Sequence, residues 1–115
     1  GDDFYVWSGN DDQVVPMMSL GAKGVISVVA NIAPEVMIQM SHLCLEGRFQ
    51  EASALQLRYM NLIDALFMEV NPIPIKAAMK LAGYDAGTLR LPLCDMAPEN
   101  LEVLRRAMKD VHLLD

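Results

Sequence analysis

The sequence predicts an α/β chain that is helical over most of its length. Three observations carry this reading. Gly24-Val25-Ile26-Ser27-Val28 is a short β-branched run bounded by turn signals, the pattern of a strand buried on both faces in a parallel sheet. Phe4-Tyr5-Val6-Trp7 is a second strand pattern, and the stretch between them has the length of a helical crossover. The two strands are therefore expected to lie parallel, joined right-handedly. From Pro34 onward the apolar residues recur mainly at helical spacing. The predicted organisation is two strand–helix units over residues 1–47 and a helical region over 48–115.

The elements follow in order. Residues 1–3 are a polar lead-in. Ser8-Gly9-Asn10-Asp11-Asp12 turns the chain out of the first strand. Asn10 or Asp11 is placed to accept hydrogen bonds from free amides at the start of a helix over 11–20. The apolar side of that helix is Val14, Val15, Met17, Met18 and Leu20, and Pro16 removes one donor near its start. A helix over 34–46 opens on Pro34 and Glu35, buries Val36, Met37, Met40, Leu43 and Cys44, and ends at Gly47. The periodicity predicts one long helix over 48–69, with Phe49, Ala52, Leu55, Tyr59, Leu62, Ile63, Leu66 and Phe67 as its stripe. Asn71-Pro72-Ile73-Pro74 breaks it, and a helix over 74–82 stops at Gly83. Tyr84 to Cys94 reads as extended, with Leu89, Leu91 and Leu93 alternating against Arg90. A last helix to about 111 starts near Pro98 and turns Leu101, Leu104, Met108 and Val111 inward.

Composition narrows the function classes. The net charge is −6, and the basic residues are scattered, so nucleic-acid binding is not expected. No apolar run approaches the roughly 20 residues that span a bilayer, and no leader pattern stands at the start. Cys44 and Cys94 lie far apart in apolar surroundings and read as reduced thiols of a cytoplasmic protein. No Cys-x-x-Cys or His-x-x-x-His spacing supports a metal. His42 and His112 read as surface or packing residues, and the methionines as core filling.

In α/β proteins, ligands bind beyond the carboxyl ends of the strands. The candidate site segments are therefore Ser8-Gly9-Asn10-Asp11 and Val28-Val29-Ala30-Asn31. Gly9 either lets the backbone approach a substrate or only makes the turn. Asn10 and Asp11 either cap a helix or orient a substrate. Lys23 stands at the amino-terminal end of its strand, and Lys76 begins a helix, so neither is expected to form an imine.

Four segments together carry a resemblance. Ser8-Gly9-Asn10-Asp11-Asp12, Leu20-Gly21-x-x-Gly24-Val25-Ile26-Ser27-Val28, Asn71-Pro72-Ile73-Pro74-Ile75-Lys76 and Leu89-Arg90-Leu91-Pro92-Leu93 resemble the carboxyl-terminal part of the dihydrodipicolinate synthases. The resemblance implies the carboxyl-terminal fragment of a (β/α)8 TIM barrel, with the two strands as its seventh and eighth, plus carboxyl-terminal helices. It implies a lyase of lysine and diaminopimelate biosynthesis that condenses pyruvate with aspartate semialdehyde. No cofactor is implied; pyruvate is held as a Schiff base on a lysine of the sixth strand, a segment this chain does not contain. The chain alone is accordingly expected to be inactive, with no catalytic residue of its own. By resemblance the substrate-binding residues are Ile26, through its backbone carbonyl, Gly9, and Asn71 near the pocket mouth. Ile26 also reads as a packing residue of the barrel, and Asn71 as an ordinary helix terminator before Pro72. Unpaired strand edges predict a homo-oligomer or association with missing barrel strands. The alternative is a non-catalytic helical module that self-associates.

Overall fold

A computed structural model of the chain describes residues 4–85, 87, 90 and 94–115. The polar lead-in and the alternating leucines Leu89, Leu91 and Leu93 lie outside the described residues. The two predicted strand segments pair in parallel. The Lys23 amide donates to the Val6 carbonyl at 2.8 Å, the Ser8 amide to the Gly24 carbonyl at 2.9 Å, and the Ile26 amide to the Ser8 carbonyl at 2.8 Å. This sets Ser8 opposite Val25.

The pairing goes no further than that one bridge, and no regular strand forms among the described residues. Of the two expected strands, the described residues show this short parallel contact. The expected burial on both faces fails as well. Ile26 is 75% exposed, and Phe4, Tyr5, Val6 and Trp7 are all exposed. A parallel pair gains its second ladder and its cover from neighbouring strands, and among the described residues these segments pair only with each other.

Trp7 covers Gly24. A Cβ on Gly24 would lie 2.6 Å from Cζ3 and 2.9 Å from Cε3 of the indole. Gly24→Ala is therefore expected to push the ring off the paired segments at a cost of about 1 kcal/mol. Trp7 is the only tryptophan, so a red-shifted emission spectrum reads the displacement directly.

The chain folds as two compact units, the first ending at Met60 and the second running Asn61–Asp115. In the first, a 3-10 turn (Asp11–Gln13) leads into α1 (Val14–Ser19). A second 3-10 turn (Val29–Asn31) precedes α2 (Pro34–Leu45), and α3 is Phe49–Arg58. Val14, Val15 and Met18 of α1 are buried with Met37, Met40, Leu43 and Cys44 of α2 and Ala52 of α3. Burial pushes the Cys44 thiol above its ordinary value, whereas Cys94 is exposed. Leu20, expected on the apolar side of α1, is 89% exposed because the helix ends one residue before it.

The single helix predicted over 48–69 is two. Tyr59 leaves helical geometry at φ −96° and ψ 3°, and its amide is shared between the Leu55 and Gln56 carbonyls. α4 (Met60–Leu66) then resumes. Apolar periodicity does not register a one-residue offset of this kind, because the stripe runs across it: Ala52, Tyr59, Leu62 and Ile63 are all buried.

In the second unit, α5 (Ile73–Leu81) packs on α6 (Pro98–Asp110). Leu104, Ala107, Met108 and Val111 are buried. α6 borrows its cap: the Glu69 carboxylate accepts the Ala97 amide at 3.0 Å and the Asn100 side-chain amide at 2.9 Å. A carboxylate here satisfies free donors and faces the positive end of the helix dipole.

α2, α5 and α6 end in the same way. After α2 the Arg48 amide donates to the Leu43 carbonyl and the Gly47 amide to that of Cys44, with Gly47 at φ 77°. After α6 the same bonds run from Leu113 to Met108 and from His112 to Lys109, but the left-handed residue is His112, at φ 62°. His112→Gly relieves the Cβ penalty and is expected to stabilise the fold by about 0.5–1 kcal/mol, read as a raised Tm.

Candidate functional site

The site is built at the carboxyl ends of the paired segments, where the chain turns after Ser8 and after Ile26. Ser8 is fully buried and shapes the first turn. Its hydroxyl donates to the Asn10 carbonyl at 2.8 Å and accepts the Asn10 amide at 3.2 Å. Gly9 is exposed, its φ is not positive, and a Cβ there would meet open space. The turn therefore does not require glycine at this position, and Gly9 leaves free room beside the strand end.

Asp11 does not cap the helix that follows it. It is 1% exposed, and its carboxylate crosses to the second turn. One oxygen accepts the Ser27 hydroxyl in a short hydrogen bond; the other accepts the Val28 amide at 3.0 Å and the Val29 amide at 3.3 Å. Ser27 Oγ in turn accepts the Ala30 amide at 3.0 Å. These amides open the turn Val29–Asn31 and have no helical partner of their own. Asn10, at the N-cap of its own turn, makes no capping bond, and its side chain instead reaches Gln13 at 3.4 Å.

Gln56 of α3 fixes Asp11 from behind. It is buried, and its amide group accepts from the Val15 amide at 2.9 Å and donates to the Asp11 carbonyl at 3.0 Å. It thus stands between a donor and an acceptor four residues apart, which a regular helix would join directly.

The paired segments bring Gly9 and Ile26 to the same end. The Ile26 amide is bonded to Ser8, and its carbonyl has no backbone partner among the described residues. Asn71 belongs to the second unit, is exposed, and precedes a cis peptide to Pro72. Lys23 is exposed at the opposite, amino-terminal end of the second segment, where its amide meets Val6. Among the described residues no three His, Cys, Asp or Glu side chains converge as metal ligands, and no helix is long and apolar enough to cross a membrane.

Sequence reasoning missed Ser27 and Gln56. The signal for Gln56 was present: it lies four residues after Ala52 and three before Tyr59, a polar residue on the face that the apolar stripe marks as inner.

The sequence model of the dihydrodipicolinate synthetase family matches residues 1–111. The chain belongs to this family. Among curated relatives in the family, the 4-hydroxy-tetrahydrodipicolinate synthase of Acetivibrio thermocellus is 52% identical over 112 residues, covering 97% of this chain and 38% of its own length. A solved dihydrodipicolinate synthase of Thermotoga maritima superposes with a TM-score of 0.95 at 41% identity, over 98% of this chain and 38% of that one. A third family member, the chloride-inhibited enzyme of Acinetobacter baumannii complexed with pyruvate, gives a TM-score of 0.92 at 40% identity, over 96% of this chain and 38% of that one. The chain thus spans about 38% of the length of the family members it matches.

Proposed function

We propose that this chain works as the carboxyl-terminal part of a Schiff-base lyase that condenses pyruvate with aspartate semialdehyde in lysine and diaminopimelate biosynthesis. Residues 1–47 supply the last two strand–helix units of a TIM barrel, and residues 48–115 its carboxyl-terminal helices. The observation that carries the reading is the Ile26 carbonyl, without a backbone partner among the described residues, at the same carboxyl end of a parallel pair as the open space at Gly9. In this reading the carbonyl is an acceptor for the protonated imine formed between pyruvate and a lysine outside this chain. Gly9 leaves room for substrate, and Asn71 is the third residue that the family resemblance nominates for substrate binding. The exposed Phe4, Trp7 and Ile26 support association with further barrel strands and a homo-oligomer in the cytoplasm.

Two measurements test this. Borohydride reduction with pyruvate is expected to leave Lys23, Lys76, Lys80 and Lys109 of the isolated chain unmodified. Fusing the chain behind the portion of the Acetivibrio thermocellus relative that precedes the matched segment is expected to give an enzyme that condenses the two substrates. A covalent pyruvate adduct on one of the four lysines, or an inert but folded fusion, overturns the reading. Sedimentation of the isolated chain as a stable monomer would remove the proposed self-association.

A further inference from the structure

We propose that Asp11 is a positioning residue: it holds the backbone after Ile26 in the one arrangement that presents the Ile26 carbonyl to the substrate, without touching substrate itself. The assignment rests on the proposed pyruvate site for its functional half and on geometry alone for its structural half.

The geometry is specific. The carboxylate of Asp11 is buried and takes three donors, all from the three residues that follow Ile26: the Ser27 hydroxyl, the Val28 amide and the Val29 amide. On the other side, the Ile26 amide is fixed by the Ser8 carbonyl at 2.8 Å. The chain is thus held before and after the Ile26 carbonyl, while the carbonyl itself has no backbone partner among the described residues. Asp11 is in turn immobilised through its own carbonyl by Gln56. A free acceptor between two anchored peptide units is how a backbone group is kept aimed at a ligand, and a misplacement of about 1 Å at such a group costs on the order of 100-fold in rate. With both its oxygens turned toward Ser27, Val28 and Val29, the carboxylate is committed to the loop.

The test reads the two halves separately. By amide hydrogen exchange on the whole chain, Asp11→Ala is expected to speed exchange at Val28 and Val29 roughly tenfold or more, since each loses a hydrogen bond to a charged acceptor. Amides within α2 should keep their protection. Unchanged exchange at Val28 and Val29 overturns the proposal. Should Asp11→Ala fail to fold, Ser27→Ala reads the same tie: Ala30 loses its acceptor and is expected to exchange several-fold faster, and unchanged exchange at Ala30, Val28 and Val29 overturns it equally.

In the fused enzyme, Asp11→Ala is expected to lower kcat/KM for pyruvate tenfold or more while leaving KM for aspartate semialdehyde within about twofold. Asp11→Asn, which keeps an oxygen for the two amides, should recover most of the loss. Equal loss toward both substrates would mark Asp11 as merely structural and overturn the positioning role. A fused wild-type enzyme without activity would refute the pyruvate site instead, and the exchange data would still decide whether Asp11 sets this backbone.

Discussion

Gln56→Leu is expected to cost about 2–4 kcal/mol, seen as a lower urea midpoint with little change in slope. Leucine matches glutamine closely in volume, so packing in α3 is largely kept. What is lost is the bridge between the Val15 amide and the Asp11 carbonyl, both of which it satisfies from a buried position. Each unmet buried partner costs about 1–3 kcal/mol, and partial closure of the two onto each other keeps the sum below the maximum. Gln56→Glu should be worse than its isosteric shape suggests. It keeps the acceptor for Val15 but sets a carboxylate oxygen against the Asp11 carbonyl, in a place with almost no solvent. A wild-type midpoint in either variant would mean the bridge contributes nothing.

The second large effect is expected in α6. Leu104 is fully buried, and Leu104→Ala should destabilise the protein by about 3 kcal/mol, within the 2–5 kcal/mol range for such truncations. Val103, its neighbour in sequence, is 47% exposed, and Val103→Ala should stay within about 0.5 kcal/mol. The contrast between adjacent residues, read by thermal or urea unfolding, tests the phase of the helix as well as its packing.

Much of this architecture was legible in the sequence because helices announce themselves locally. Pro34 and Pro98 open α2 and α6, Gly47 and Gly83 close α2 and α5, and the apolar residues between keep a 3.6 period. The parallel pairing of the first two segments was legible from the length of the crossover. Its extent was not, because a β-branched run records what a segment can pair with and not whether those partners are present. The break at Tyr59 was hidden by an apolar stripe that continues across it. The site was half legible. Gly9 and Ile26 do share one end of the pair, whereas Asp11 was assigned to the wrong turn: capping preferences state which residues satisfy free amides but not whose amides they reach.

The ties that set the strand-end turns have a kinetic consequence. Asp11 and Ser27 are 16 residues apart, Gln56 and Val15 are 41, and Gln56 and Asp11 are 45. Contacts this long in sequence charge their loop-closure entropy before returning any stabilisation, so they form late. The first turn gains its last support only when α3 docks, because Gln56 reaches the Asp11 carbonyl from 45 residues away. A helix that lies later in the chain thus completes a turn that lies earlier, through the bond from Gln56 of α3 to the Asp11 carbonyl.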